Sequence, residues 1–149
     1  MKNSSGSVNW NGNKFLLSAV AETTEALKKA AIYTQGVAKD MVGGSGAGRS
    51  YKRKGGAYHK ASLPGRPPAR DSGILLVSVS YTVKKQGLKI SAYVGSDKDK
   101  MRKGGSTVDP EYGFYLEKGT KTMAARPWLR PALIKSRPRI LKILKKALK

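Results

Sequence analysis

Lys14 to Met41 is the longest helical pattern in this sequence, and it decides what can be built around it. Leu16, Val20, Leu27, Ala31, Thr34, Ala38 and Met41 recur at steps of three, four or seven, so they stack on one helix face. Ala and Lys favour the helix and no Pro interrupts it. Gly36 weakens it by ~1 kcal/mol relative to Ala. Gly43-Gly44 ends it, because glycine enters the left-handed cap conformation freely. A helix of this length with one apolar face needs a sheet or a second helix to cover it. Its polar face mixes Glu22 and Glu25 with Lys28 and Lys29, which does not suit an anionic lipid surface.

Two later segments offer the cover. Asp71-Ser72-Gly73 reads as a turn into a strand from Ile74 to Val83, where Leu75, Val77, Val79, Tyr81 and Val83 alternate with polar residues from Ser78 onward. Lys84 to Gly87 is a turn, and Leu88 to Gly95 a second strand with Leu88, Ile90, Ala92 and Val94 on one face. The pair predicts an antiparallel hairpin with one buried face. Ser96 to Glu111 reads as a polar loop. Leu133, Ile134, Ile140, Leu141, Leu144 and Leu148 have helical spacing, with Pro138 expected to kink or restart that helix and Ser136 as its N-cap.

Tyr112 to Leu133 joins these parts. Tyr112, Phe114 and Leu116 alternate as a strand does, so the expectation is a third strand completing the sheet. Gly119 permits a turn after Glu117. Glu117 is the last acid in the chain, and an ion pair with Arg126 or Arg130 is expected. Trp128 and Leu129 would anchor the last helix, opened by Pro131 at an N1-like position. Tyr112, Phe114, Tyr115, Glu117, Gly119, Thr120, Arg126, Pro127, Trp128, Leu129 and Arg130 together read as core packing and subunit interface.

The predicted fold class is α+β: a small antiparallel sheet packed with a long N-terminal helix and a C-terminal helix. Residues 1–13, with Trp10, read as a flexible arm. Residues 14–149 form a single domain, and 43–70 a mobile basic loop between the first helix and the sheet.

Charge limits the partners. Lys and Arg number 30 against 9 Asp and Glu, a net charge of +21. Such an excess attracts polyanions: nucleic acid, an anionic surface or an acidic protein. The stretch 43–70 contains Arg49, Lys52, Arg53, Lys54, Lys60, Arg66 and Arg70 and no acid before Asp71. Tyr51 and Tyr58 are interleaved with these cations, which suits contact with nucleic-acid backbone and bases. Gly43 and Gly48-Arg49-Ser50 have the spacing of a phosphate-binding loop, but they follow a helix rather than a strand, so no nucleotide site is expected there.

Nothing in the inventory suggests catalysis. There is no cysteine, and the one histidine, His59, has no carboxylate beside it in sequence. Asp97 and Asp99 are flanked by lysines that disfavour a divalent cation. The expectation is no enzyme activity, no cofactor and no metal. No apolar run follows Met1-Lys2, so no secretory leader is expected, and no stretch approaches the ~18 apolar residues of a membrane span.

Two segments carry a family resemblance. Pro64-Gly65-Arg66-Pro67-Pro68-Ala69-Arg70-Asp71-Ser72-Gly73-Ile74-Leu75 looks like a Pro-Gly-x-Pro-Pro-Ala-x-x-Thr-Gly-x-Leu signature. Tyr112-Gly113-Phe114-Tyr115-Leu116-Glu117-Lys118-Gly119-Thr120, followed by Ala125-Arg126-Pro127-Trp128-Leu129-Arg130-Pro131-Ala132, looks like Tyr-Ala-x-Tyr-Val-Glu-x-Gly-Thr followed by Ala-Arg-Pro-Phe-Leu-Arg-Pro-Ala. In both segments, and in the order of elements, the chain resembles the small minor tail-component, or tail-completion (neck), proteins of long-tailed bacteriophages. It departs from them in having Ser72 where Thr is usual, Arg66 where Glu is usual, and Pro138 within the last helix.

The resemblance implies a structural virion protein of the neck, assembled in the host cytoplasm. It implies a homo-oligomeric ring, commonly a hexamer, that completes the tail and joins it to the head connector around the DNA channel. Implied partners are copies of itself, head–tail connector or stopper proteins, tail terminator or tail tube proteins, and phage DNA held without sequence preference in the lumen. The basic loop would face that DNA or an acidic neighbouring ring. The rival reading is a free basic nucleic-acid-binding protein. It accounts for the charge but for neither motif segment. A membrane-active cationic protein is a weaker third reading, opposed by the half-buried hairpin.

Overall fold

A computed structural model describes residues 11–53, 55–103, 109 and 111–147. Helix α1 (Gly12–Val42) is followed by strands β1 (Ser50–Lys52) and β2 (Tyr58–Lys60). Helix α2 (Ile74–Ser78) leads directly into β3 (Val79–Gln86) and β4 (Lys89–Ser96). Helices α3 (Lys98–Lys103), α4 (Tyr112–Lys118) and α5 (Leu129–Ala147) complete the α+β fold. Each strand pair forms its own two-stranded antiparallel sheet. Trp10, Lys54 and Leu148 lie outside the described residues.

Helix α1 buries Val20, Ala26, Ala30, Ala31, Thr34, Val37, Ala38 and Val42. Of the predicted stripe, Val20, Ala31, Thr34 and Ala38 are buried, Leu27 and Met41 are half-buried and Leu16 is exposed; Ala26, Ala30, Val37 and Val42 widen the buried face beyond it. Thr34 satisfies its hydroxyl on the Ala30 carbonyl at 2.9 Å, so burial strands no polar group there. Alanine dominates the face because α5 lies along it, with its own buried positions Ala132 and Ser136 equally small. Small side chains on both helices let the backbones approach closely.

Helix α5 is continuous across Pro138 rather than restarting there. Ser136 is therefore not an N-cap; it is fully buried in the helix interior. Pro131 stands in the first turn rather than at its first position, which is tolerated because amides there have no partner within the helix.

The expected strand from Ile74 begins only at Val79. Gly73, at φ +82°, opens α2 instead. Leu75, Ser78 and Val79 are buried at i, i+3 and i+4 while Val77 is 67 % exposed, so the apolar run follows the helical period. Beyond it, β3 and β4 pair from Val79↔Ser96 to Gln86↔Lys89. The link is a two-residue turn, Gly87-Leu88, with Gly87 at φ +60°, a glycine position of tight hairpin loops. Leu88 sits at the exposed tip rather than on the buried face. Both strands pack on α1, and Gln35 of α1 donates its amide to the Val79 carbonyl at 2.8 Å.

Tyr112 to Lys118 forms α4, and no third strand joins β3–β4 among the described residues. The buried positions Gly113 and Leu116 are three apart, so helical spacing overrides the apparent alternation. Gly113 is required by contact: a Cβ there would lie 2.7 Å from Ser96 Oγ and 3.2 Å from Leu75 Cδ1. The core gathers Val37, Ala38 and Val42 of α1, Leu75, Val79, Leu116 of α4, and Trp128 and Ala132.

The expected loop after Ser96 contains α3, and Asp97 explains it. One carboxylate oxygen accepts the amides of Asp99 (2.9 Å) and Lys100 (3.3 Å), and the other accepts the Ser80 hydroxyl at 3.4 Å. This is an N-cap arrangement. The Lys100 amide bond is the main cause holding the Asp97 carboxyl below its ordinary value, aided by the Asp99 amide and the Lys100 charge and opposed by desolvation. A depressed acid stabilises above its unfolded pKa and loses that contribution as pH falls through the folded value. Acidification should therefore release α3: the protection of the Asp99 and Lys100 amides against exchange, relative to their intrinsic rates, should fall below about pH 4. In Asp97→Asn that acid step should vanish, and an unchanged step would assign it elsewhere.

Candidate nucleic-acid and assembly surfaces

The basic stretch between α1 and α2 folds as a hairpin where sequence periodicity gave none. Its pairs are Ser50↔Lys60, Tyr51↔His59 and Lys52↔Tyr58. The ladder continues through Gly48 N–H to Ala61 O (2.7 Å), Ala61 N–H to Arg49 O (3.0 Å) and Arg53 N–H to Ala57 O (2.7 Å). Gly46 lets the chain pass close over the end of β2, since a Cβ there would collide with the Lys60 carbonyl. Two further bonds fix the return segment: Arg70 N–H to Gly44 O (2.8 Å) and Gly65 N–H to Ala125 O (2.9 Å).

Strand alternation sorts this hairpin into two faces. Tyr51 and His59 share the inner face, with rings 5.2 Å apart edge to face. Lys52, Tyr58 and Lys60 share the outer face and are exposed. Asp71 clasps the inner side. One of its oxygens lies 3.1 Å from Arg53 Nε and 3.2 Å from His59 Nδ1. Sequence reasoning missed this clasp, although a signal existed: Asp71 is the only acid between Asp40 and Asp97.

The predicted contact cations therefore separate. Lys52 and Lys60 meet on the outer face, Arg49 is exposed at the hairpin's base, and Arg66 and Arg70 are exposed on the return segment. Arg53 is committed to Asp71, and Lys54 lies outside the described residues.

The predicted packing residues also divide. Glu117 forms no ion pair with Arg126 or Arg130 among the described residues. Its carboxylate accepts the amides of Trp128 (2.7 Å), Leu129 (2.8 Å) and Arg130 (3.0 Å), capping α5 from eleven residues upstream. The free amides at the helix N-terminus, reinforced by the helix dipole, take this carboxylate in place of a guanidinium. Gly119 stands at φ +78°, ψ 175°, close against Ala125 and Met123, a conformation open only to glycine. Thr120 holds the same turn by accepting the Met123 amide at 3.1 Å. Trp128 is buried and donates its indole N–H to the Gly113 carbonyl at 3.0 Å. Pro127 and Leu129 are half-buried, and Arg130 is exposed.

Phe114 is exposed, and Tyr115 bonds Glu111 at 3.4 Å. The Asp109 charge, then desolvation and Glu111, raise the Tyr115 phenol's pKa. Burial, then Tyr51 and Asp71, push the Tyr112 phenol up while Arg126 opposes. Arg126 Nε reaches the Ser62 carbonyl at 3.4 Å.

Two apolar surfaces remain uncovered. The first turns of α1 carry Phe15 (74 % exposed), Leu16 and Leu17 (67 %). Three consecutive apolar residues in a helix cannot all face one side, which was the available sequence signal. Elsewhere a groove of about 370 Å³ runs between α1, β4 and α5, lined by residues including Leu27, Ala31, Tyr93, Val94, Leu133 and Ile140 and by no charged group. By contrast, α5 carries seven Lys and Arg residues and no acid.

Among the described residues no cluster of three or more acids or histidines is placed to hold a metal ion, and no helix is long and apolar enough to cross a membrane. No family model, curated protein or solved structure matches the chain.

Proposed function

We propose that this chain is a non-enzymatic structural subunit of the neck of a long-tailed phage, closing into a ring that completes the tail around the DNA channel. The observation that carries the reading is the pair of uncovered apolar surfaces on a chain of net charge +21. Copies so strongly charged repel one another. They associate most readily where apolar side chains are exposed, as at the α1 tip, where Phe15, Leu16 and Leu17 follow Lys14, and in the uncharged α1–β4–α5 groove. The two surfaces differ, so their contact is heterologous, and heterologous contacts close into rings when the rotation permits. The order of helix, hairpin, connector and final helix agrees with the family resemblance. The outer face of the β1–β2 hairpin, with Lys52, Tyr58 and Lys60, suits sequence-independent contact with DNA phosphates.

Light scattering on the purified full chain, with negative-stain imaging of intact particles, tests this. The expected result is a ring, and the chain located in virions. Phe15→Glu combined with Leu17→Glu should yield folded monomers, because each exposed apolar side chain buried at an interface contributes about 1.5–3 kcal/mol. A wild-type monomer that binds DNA tightly at physiological salt and never enters particles would instead support a free nucleic-acid-binding protein.

A further inference from the structure

Four segments distant in sequence meet beneath the β1–β2 hairpin. They are the hairpin's inner face, the return segment, α4 and the connector before α5. Between them lies a hollow of about 360 Å³, lined among others by Tyr51, His59, Ser62, Tyr112 and Arg126. Three of these are aromatic rings. One is a cation with no ion pair among the described residues. The Ser62 hydroxyl, like that of Ser136, is buried without a hydrogen-bond partner among the described residues, and the Ser62 carbonyl accepts the Arg126 Nε–H at 3.4 Å. Asp71 holds His59 through Nδ1 and so fixes the orientation of that ring.

We propose that this hollow is a stacking site for one unpaired nucleotide of a single-stranded nucleic acid, its base against the Tyr51 and Tyr112 rings and its phosphate toward Arg126. A base offers a flat π-face whatever its sequence, and aromatic side chains are its natural platform. The volume lies at the small end of the ~300–1,000 Å³ range of ligand pockets, room for a single nucleotide. In a duplex the base faces are already stacked, so a duplex presents only its backbone. Arg49, exposed at the base of the same hairpin, can carry the strand beside the stacked unit, while Lys52 and Lys60 lie on the hairpin's other face. This site does not depend on ring formation, although it would place a base reader at the rim of the proposed DNA surface.

Fluorescence anisotropy of the full chain tests the site, using labelled oligothymidine of about ten nucleotides and a duplex of equal length, each over a series of salt concentrations. The single strand should bind at least about tenfold tighter than the duplex near 0.2 M salt. Tyr51→Ala and Tyr112→Ala should each weaken single-strand binding about five- to a hundredfold, with the salt slope and duplex binding unchanged. Arg126→Gln should reduce the single-strand slope by about 0.7. Tyr51→Phe and Tyr112→Phe keep the ring and should retain binding, which separates stacking from misfolding. Equal affinity for both nucleic acids, or full binding by folded Tyr51→Ala, would overturn the proposal. A ring that binds only duplex would sink the stacking site and leave the neck reading standing. Single-strand stacking by a chain that never forms rings would do the reverse.

Discussion

Trp128→Ala should cost about 3–5 kcal/mol of folding stability. Trp128 is 1 % exposed and stands among Val37, Ala38, Leu116 and Ala132, where the neighbours are small. The other residues buried to the same degree, Ala38, Ser78, Val79, Ala132 and Ser136, are all much smaller, so Trp128 is the largest fully buried side chain among the described residues. Truncating a buried Trp costs about 3–5 kcal/mol, and domains of this size are stable by only ~5–15 kcal/mol. The indole also ties α4 to the start of α5 through the Gly113 carbonyl. Trp128→Phe keeps most of the packing and loses that bond, so about 1–2 kcal/mol is expected. Urea unfolding followed by far-UV circular dichroism would measure both, without relying on tryptophan emission. A loss below about 1 kcal/mol for the alanine variant would mean that the core does not depend on this residue.

Glu117→Ala should be the next most damaging change, at about 3 kcal/mol, because three amides lose a charged acceptor together. At about 2–4 °C per kcal/mol for a chain of this length, the melting temperature should fall by about 10 °C. Glu117→Gln keeps one acceptor oxygen and no charge, so it should lie between the two. Arg130→Gln should change stability by less than about 0.5 kcal/mol, since Arg130 is exposed and enters only through its backbone. The opposite ranking, with Arg130 essential and Glu117 dispensable, would restore an ion pair as the joint between α4 and α5.

The helices and the β3–β4 hairpin were legible because their apolar residues repeat with clear periods over many residues. Short segments were not. Ile74 to Ser78 and Tyr112 to Lys118 span only one or two turns, where alternation and helical spacing coincide at several positions. Only the tertiary contacts of Leu75, Gly113 and Leu116 decide between them. Pro138 was read by local preference, and packing along α1 overrides that preference. The candidate site was legible as composition alone. The cations and tyrosines of 43–70 were visible, but their division into two hairpin faces depends on a register that the turn around Gly55-Gly56 sets. The hollow was invisible because its lining residues come from positions 51 to 126.

Three of this chain's nine acids occupy joints. Asp71 clasps the β1–β2 hairpin, Asp97 starts α3, and Glu117 starts α5. With nine acids against thirty basic residues, such posts have few understudies, while most single lysines and arginines do. Tolerance to sequence change should therefore be lopsided. Random variation should drift readily among the cations and stall at a few carboxylates. A mutational scan would see a surface that is permissive in one sign of charge and rigid in the other.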